Sequence, residues 1–259
     1  MIPVSCKRLI EVDFPIAKVS EHSAKEKSIR HGHPSTLHLW WARRPLAACR
    51  SVLLGLLLPD PCDEDCPTDF KIKARELLAK RYSVGTHSTA SLKSSVKTEV
   101  RDGVESVPTN ADLELRELLL KFIGEFANWD HAANAMYLEI GRGLVKAAHP
   151  EETPVVVDPF AGGGSIPLEA LRLGCEAFAS DLNPVACLIL KTLLEDIPRY
   201  GNAEFRLPRR FGVPALAGQE RGEATAAPNR LKAGLQTEED FVTIHGLADA
   251  LRHVGKQVK

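Results

Sequence analysis

Residues 154–165 read Pro154-Val-Val-Val-Asp158-Pro-Phe-Ala-Gly162-Gly-Gly-Ser165, and they give the strongest indication of the fold. Its three valines form a short β-branched run between turn-forming residues, which predicts a fully buried parallel strand. The glycines can adopt backbone conformations that other residues avoid and let a ligand approach closely. The next helix, which we expect to be capped by Ser165 and ended by Gly174, offers unpaired N–H groups at its positive end. The stretch therefore predicts a strand, a turn that holds a polar ligand, and a helix.

A second strand is predicted over Glu176–Ser180, and it is followed directly by Asp181. A carboxylate at the end of such a strand can accept hydrogen bonds from both ribose hydroxyls of an adenosine. Asn183 and Pro184 have the residue types of a helix cap and a first helical residue, so a third helix is expected to run to about Glu195. This element order predicts an open, parallel, doubly wound α/β sheet with its ligand at the carboxyl ends of the strands.

The spacing of the glycines distinguishes two cofactor classes. A dinucleotide-binding turn has the pattern Gly-x-Gly-x-x-Gly. Gly162 and Gly164 fit its first two glycines, but the third position is Pro167. The pattern therefore disfavours NAD, while a tight turn without any ligand remains an alternative.

The residues before residue 154 predict a mainly helical region. Apolar side chains recur at helical spacing in four segments, of which the second has a thin apolar face. The segments are Pro45–Leu58, Phe70–Arg81, Leu113–Phe126 and one that carries Met136, Ile140 and Leu144. Residues from Ser83 to Asn110 are rich in Ser, Thr, Lys and Glu, which is typical of a mobile insertion.

The composition restricts the class of protein. Hydrophobic residues make up 44% of the 259, so the chain can bury a core. The formal net charge is -1, so contact with nucleic acid would need a local basic patch. No apolar run approaches the roughly 20 residues of a membrane span, and the amino terminus lacks the pattern of a signal peptide. We therefore expect a cytoplasmic protein without a membrane anchor.

Six cysteines are present, and only Cys62 and Cys66 are close enough to share a ligand. A zinc site would need a second ligand pair, and the sequence has none at short spacing. The Cys62-Asp-Glu-Asp-Cys66 segment is therefore interpreted as an acidic turn, and no metal is expected.

The glycine turn and the acid after the second strand resemble two conserved motifs of amino-methyltransferases that use S-adenosylmethionine. Asp158-Pro-Phe-Ala-Gly-Gly-Gly-Ser is similar to their first motif, and Ser180-Asp-Leu-Asn-Pro184 looks like their second. The resemblance implies that the turn lines the methionine part of the cofactor, that Asp181 binds the ribose, and that Leu182 and Asn183 flank the adenine. The cofactor-binding residues implied are Asp158, Phe160, Ala161, Gly162, Gly164, Asp181, Leu182 and Asn183.

The amino-terminal part resembles a second feature of one methyltransferase family. The segments from Glu26 to Leu37 and from Trp40 to Ala47 are similar to a conserved domain of unknown function. That domain begins a family of large prokaryotic proteins described as adenine-specific DNA methylases. The resembling blocks span about Phe14 to Pro61 and Asn128 to Tyr200, in the order of the family. This resemblance implies DNA as substrate, in restriction-modification or defence against phage.

The same amino-terminal block concentrates positive charge beside Trp40 and Trp41. Such a patch can bind phosphate and stack a base. One alternative is that the tryptophans belong to the core and the arginines cap helices or pair with Glu21 and Glu26. Another is that the block packs beside the methionine tail of the cofactor. The candidate nucleic-acid residues are Lys27, Arg30, His31, Arg43 and Arg44, with His33 beside them.

The motif that performs the chemistry in this family is absent. Adenine N6 is a poor nucleophile, and these enzymes flip the base out and position its amino group with an Asn/Asp-Pro-Pro-aromatic motif. No two prolines are adjacent in the sequence, so the catalytic residues are unknown. The chain is then either a truncated member or one half of a split enzyme whose second polypeptide supplies the motif. Because later strands are also missing, we expect exposed apolar surface.

These observations predict an α/β protein with an incomplete Rossmann-like S-adenosylmethionine methyltransferase core behind a mainly helical amino-terminal region. Residues 1–61 are assigned to the family-specific domain, 62–128 to a charged helical and flexible insertion, and 129–200 to the cofactor-binding half. Residues 201–259 are expected to form a poorly ordered tail with a weak helix from Glu238 to Val254. The function expected is the cofactor-binding portion of a DNA adenine N6 methyltransferase, inactive alone. The alternatives are an RNA or small-molecule methyltransferase and a non-catalytic nucleic-acid-binding subunit.

Overall fold

The computed structural model describes residues 2–29, 33–34, 40–82, 108–201, 203–208 and 241–245. The chain forms two compact units, Met1–Leu190 and Lys191–Lys259. Seven helices precede the first strand of the described chain. They are α1 (Leu9–Val12), α2 (Ile16–Glu26), α3 (Leu46–Leu57), α4 (Thr68–Ala79), α5 (Asn110–Phe126), α6 (Trp129–Ala132) and α7 (Ala135–Ala148).

The predicted helices of this region are confirmed, with small shifts of their ends. Helix α3 begins after Pro45, which fixes a backbone angle suited to the start of a helix. Helix α5 begins three residues earlier than predicted, because the Thr109 hydroxyl accepts a hydrogen bond from the backbone N–H of Asp112 at 3.2 Å and caps the first turn. Most of the predicted mobile insertion, residues 83–107, lies outside the described residues.

One hydrophobic core runs through the first unit. It combines apolar faces of α3, α4, α5 and α7 with the helix that follows the glycine turn. Phe70, Leu119, Phe122 and Ile140 in the helical region are fully buried, as is Ala170 after the glycine turn. The helical region and the glycine-turn segment therefore contribute side chains to one core and stabilise each other.

The glycine-turn segment contains the predicted strand-turn-helix-strand order. Strand β1 (Val155–Asp158) pairs in parallel with β2 (Glu176–Ala179), and α8 (Ser165–Arg172) connects them. Helix α9 (Pro184–Leu190) follows β2. The first unit is thus a mixed α/β structure, mostly helical, with a two-stranded parallel sheet.

The prediction that β1 is fully buried is wrong. Val156 and Ala177 pack on the core, whereas Val155, Val157 and Phe178 on the opposite face of the sheet are exposed. The side chains of a strand point alternately to the two faces, and one face of this sheet packs on the core. The expected exposed apolar surface is therefore confirmed at this sheet face.

The second unit begins with a π-helical turn (Lys191–Asp196) and α10 (Ile197–Tyr200). Strands β3 (Glu204–Pro208) and β4 (Phe241–His245) then pair antiparallel. The predicted helix from Glu238 to Val254 is wrong over Phe241–His245, because the run Phe-Val-Thr-Ile favours an extended strand and finds a partner in β3. Both strands lie in the stretch expected to be a poorly ordered tail, while residues 209–240 and 246–259 lie outside the described residues.

The segment from Cys62 to Cys66 lies in a turn. Asp60 accepts a hydrogen bond from the Cys62 backbone N–H at 3.3 Å and is held by the Arg116 guanidinium. Burial raises the pKa of the Cys66 thiol to about 12, which disfavours the thiolate that metals bind. In the described ranges no group of three or more His, Cys, Asp or Glu side chains is arranged to hold a metal ion. Within the same ranges, no helix is long and apolar enough to span a membrane.

Candidate functional site

The predicted site residues that follow β1 and β2 lie together at the carboxyl ends of the two strands. The parallel register pairs Asp158 with Ala179. Beyond the strand ends, the Ser180 carbonyl oxygen accepts a hydrogen bond from the Ala161 backbone N–H at 3.0 Å, which joins the two following loops. Parallel pairing therefore brings the acid at the end of one strand to the turn at the end of the other.

The turn requires glycine at two positions. Gly162 has a φ of +51° and Gly164 a φ of +77°, which is the left-handed region that other residues rarely adopt. The Ala161 carbonyl oxygen accepts a hydrogen bond from the Gly164 N–H at 2.8 Å and closes the turn. The prediction that Ser165 caps α8 is wrong: Gly164 is the N-cap residue and Ser165 is the first helical residue. The helix ends at Arg172, and Gly174, which was predicted to stop it, follows the cap residue Leu173 with a φ of +83°.

The Asp181 carboxylate connects the two predicted motifs. Its Oδ2 accepts a hydrogen bond from the Gly162 N–H at 2.8 Å, and its Oδ1 accepts one from the Asn183 N–H at 2.8 Å. The backbone N–H groups of Asn183 and Gly162 lower the pKa of Asp181, so this carboxylate is charged at neutral pH. Each oxygen has a further lone pair, so the group can still accept hydrogen bonds from a ligand.

The remaining predicted cofactor residues lie at the ends of β1 and β2 and in the loops that follow them, and they differ in exposure. Phe160 and Leu182 are 77% and 93% exposed, whereas Ala161 is buried. Asp158 accepts a hydrogen bond from the Phe160 N–H, and Asn183 caps α9 by accepting one from the Val185 N–H at 2.9 Å. The end of the sheet therefore combines a negative charge, a turn with left-handed glycines and two exposed apolar side chains.

Trp40 lies directly against the glycine turn, a contact that the sequence does not reveal. A Cβ atom built on Gly162 would lie 2.5 Å from the Trp40 indole Nε1, and one on Gly163 would lie 3.4 Å from the Trp40 Cβ. Trp40 is only 8% exposed. The amino-terminal block therefore packs beside the predicted cofactor turn, which agrees with one of the alternatives for this block.

Glu26 is the anchor of the amino-terminal block. Its carboxylate accepts hydrogen bonds from the backbone N–H groups of Leu46 and Ala47, both at 2.8 Å, and lies 2.8 Å from His33 Nε2. Burial raises the pKa of Glu26, but the hydrogen bonds from His33, Ala47 and Leu46 outweigh it and the net shift is downward. His33 is buried with Glu26 and so does not belong to an exposed basic patch. The carboxylate satisfies the first N–H groups of α3 and holds its amino terminus in place.

The other predicted nucleic-acid residues separate into three groups. Lys27 and Arg43 line a cavity together with both tryptophans. Arg44 is exposed and is not among the lining residues. Arg30 and His31 lie outside the described residues. The alternative that both tryptophans belong to the core holds for Trp40, while Trp41 is 79% exposed.

A buried charge network supports the helix after the glycine turn. The Arg50 guanidinium donates to Glu169 Oε2 at 3.0 Å and to the carbonyl oxygens of Phe126 and Ala127. Glu169 also pairs with Arg172 at 3.1 Å. One feature of the sequence could have indicated this network: Arg50 is a charged residue in the otherwise apolar segment that forms α3.

Comparison with known families supports the amino-terminal resemblance only. Residues 13–81 match the family model described as "Protein of unknown function (DUF1156)". No curated protein and no solved structure matches the chain significantly. The prediction of an amino-terminal domain of unknown function is therefore confirmed, and its description gives no activity.

Proposed function

We propose that this chain is the S-adenosylmethionine-binding portion of a DNA adenine N6 methyltransferase. The observation that carries the proposal is the hydrogen bond between the Gly162 N–H and Asp181. It joins a glycine turn with left-handed residues to a charged acid at the end of the neighbouring parallel strand. This is the arrangement in which an adenosine-bearing cofactor is held, with its ribose on the acid.

The residue types at Asp181 and in the glycine turn support an adenosine cofactor. Asp181 supplies a charged acceptor for ribose hydroxyls, and exposed Leu182 follows it where the adenine is expected. Gly162 and Gly164 give the turn the left-handed backbone conformation that brings it beside Asp181, where the methionine part of the cofactor is expected. When bound, S-adenosylmethionine supplies a methyl group on a sulfonium that an amine can attack.

The DNA adenine assignment depends on the sequence resemblance. The absent Asn/Asp-Pro-Pro-aromatic motif would have to come from outside these 259 residues. The exposed sheet face of Val155, Val157 and Phe178 is where further elements of a doubly wound fold would pack. We therefore propose that the chain binds the cofactor and that a separate segment or polypeptide completes the catalytic site.

The purified chain is expected to transfer no methyl group to DNA. The reason is the lack of a residue pair that accepts hydrogen bonds from the adenine amino group and aligns it with the sulfonium. The measurement is incorporation of radioactive methyl from S-adenosylmethionine into duplex DNA. Incorporation above that of a heat-denatured sample would contradict the inactive part of the proposal.

Asp181→Ala is expected to weaken binding of S-adenosylhomocysteine about tenfold or more, because charge-assisted hydrogen bonds to the ribose are lost. Isothermal titration calorimetry measures the change. Glu176→Ala is the matched control, since it removes an exposed carboxylate from the other end of the same strand. Equal affinities of both variants and the unmodified chain would refute the assignment of Asp181.

A further inference from the structure

The amino-terminal block contains a cavity of about 300 Å³ that none of the comparisons assigns to a function. Its wall includes Ser23, Lys27, Trp40, Trp41 and Arg43. The volume is at the lower end of the range of about 300–1,000 Å³ for small-ligand sites. The cavity therefore has room for a ligand of about the size of one nucleotide, and not for a duplex.

The two tryptophans form a platform in this cavity. Their rings stack with centroids 4.3 Å apart and an angle of 20° between the planes. Trp40 is held against the glycine turn, whereas Trp41 is largely exposed. An exposed indole on a buried, fixed neighbour presents a flat surface on which a base can stack.

Two cations and one carboxylate line the cavity, and both cations are available to a ligand. Among the described residues, neither the Lys27 ammonium nor the Arg43 guanidinium has a hydrogen-bond or ion-pair partner. The acid of the cavity, Glu26, is already engaged by the amino terminus of α3 and by His33. An anionic group would therefore meet two cations against one carboxylate, which leaves a net attraction. Aromatic surface and two cations together match a base with its phosphate.

We propose that this cavity binds one unstacked nucleotide of DNA, with the base on Trp41 and the phosphate at Lys27 and Arg43. That the nucleotide belongs to DNA rests on the proposed function, whereas the nucleotide chemistry rests on the cavity. Because Trp40 touches both Trp41 and the glycine turn, the bound nucleotide lies beside the predicted cofactor site.

The test is fluorescence anisotropy with a labelled single-stranded deoxyoligonucleotide. Trp41→Ala is expected to weaken binding about 5- to 150-fold, because a stacking surface is lost. Lys27→Ala is expected to lower the slope of log affinity against log salt by about 1. Lys25→Ala is the matched control: it removes the same charge two positions away, but Lys25 pairs with Glu21 and does not line the cavity.

Three outcomes would overturn the inference. They are unchanged oligonucleotide affinity of Trp41→Ala, equal effects of Lys25→Ala and Lys27→Ala, and tighter binding of the matching ribo-oligonucleotide than of the DNA. Trp41 is exposed, so its variant should fold, and the circular dichroism spectrum of the same sample checks this. Trp41-dependent oligonucleotide binding without any S-adenosylhomocysteine binding would support the cavity and contradict the proposed function. Binding of S-adenosylhomocysteine together with oligonucleotide binding that does not depend on Trp41 would contradict the cavity proposal alone.

Discussion

Glu169→Ala is expected to lower the free energy of unfolding by about 3–5 kcal/mol. Glu169 is fully buried and pairs with Arg50, which is also buried. Burial lowers the pKa of the Arg50 guanidinium, but arginine stays charged in proteins, so the variant would leave this charge in the core without its partner. The measurement is chemical denaturation followed by circular dichroism.

The matched control for this prediction is Glu139→Ala. Glu139 also forms an ion pair, with Lys80 at 2.7 Å, but both side chains are largely exposed. Its removal should barely shift the denaturation midpoint. Replacing both Arg50 and Glu169 by Met and Leu should recover part of the loss, because the fully buried Arg50 charge would no longer be left without a partner. A loss for Glu169→Ala no greater than that for Glu139→Ala would contradict a structural role of the network.

Gly162→Val is expected to abolish measurable binding of S-adenosylhomocysteine and to lower stability by about 1–3 kcal/mol. Two effects combine at this position. The φ of +51° is unfavourable for a β-branched residue, and the new Cβ would lie 2.5 Å from Trp40 Nε1. The turn must move, and with it the Gly162 N–H that donates to Asp181. Calorimetry measures the loss of binding, and thermal denaturation measures the loss of stability.

Gly163→Ala is the control for this change. Its added Cβ would have its nearest contact at 3.4 Å, with the Trp40 Cβ, and the φ of Gly163 is not in the left-handed region. Binding and stability should therefore stay close to those of the unmodified chain. If Gly163→Ala were as damaging as Gly162→Val, or if Gly162→Val bound the ligand normally, the described geometry of the turn would be refuted.

The local elements of this fold were predictable from sequence because their signals are local. Apolar spacing predicted α3 and α5, and the β-branched run before glycines predicted β1. The burial of β1 was not predictable, because a run of three valines looks the same whether one or both faces are covered. The strand Phe241–His245 was missed because its pairing with Glu204–Pro208 bridges a long separation in sequence.

The candidate site was predictable where parallel pairing alone brings residues together. Asp181 lies beside the glycine turn because the carboxyl ends of β1 and β2 share one edge of the sheet. The contact of Trp40 with Gly162 and the pair Arg50–Glu169 connect residues more than a hundred positions apart. No periodicity or spacing reports such contacts, since they depend on how the amino-terminal region packs on the glycine turn and the helix after it.

Calorimetric titration of the unmodified chain with S-adenosylhomocysteine, beside a titration with NAD, tests the central claim most directly. We expect saturable binding of S-adenosylhomocysteine at one site and no binding of NAD. Absence of heat with S-adenosylhomocysteine from a folded sample, or saturable binding of NAD in its place, would contradict it.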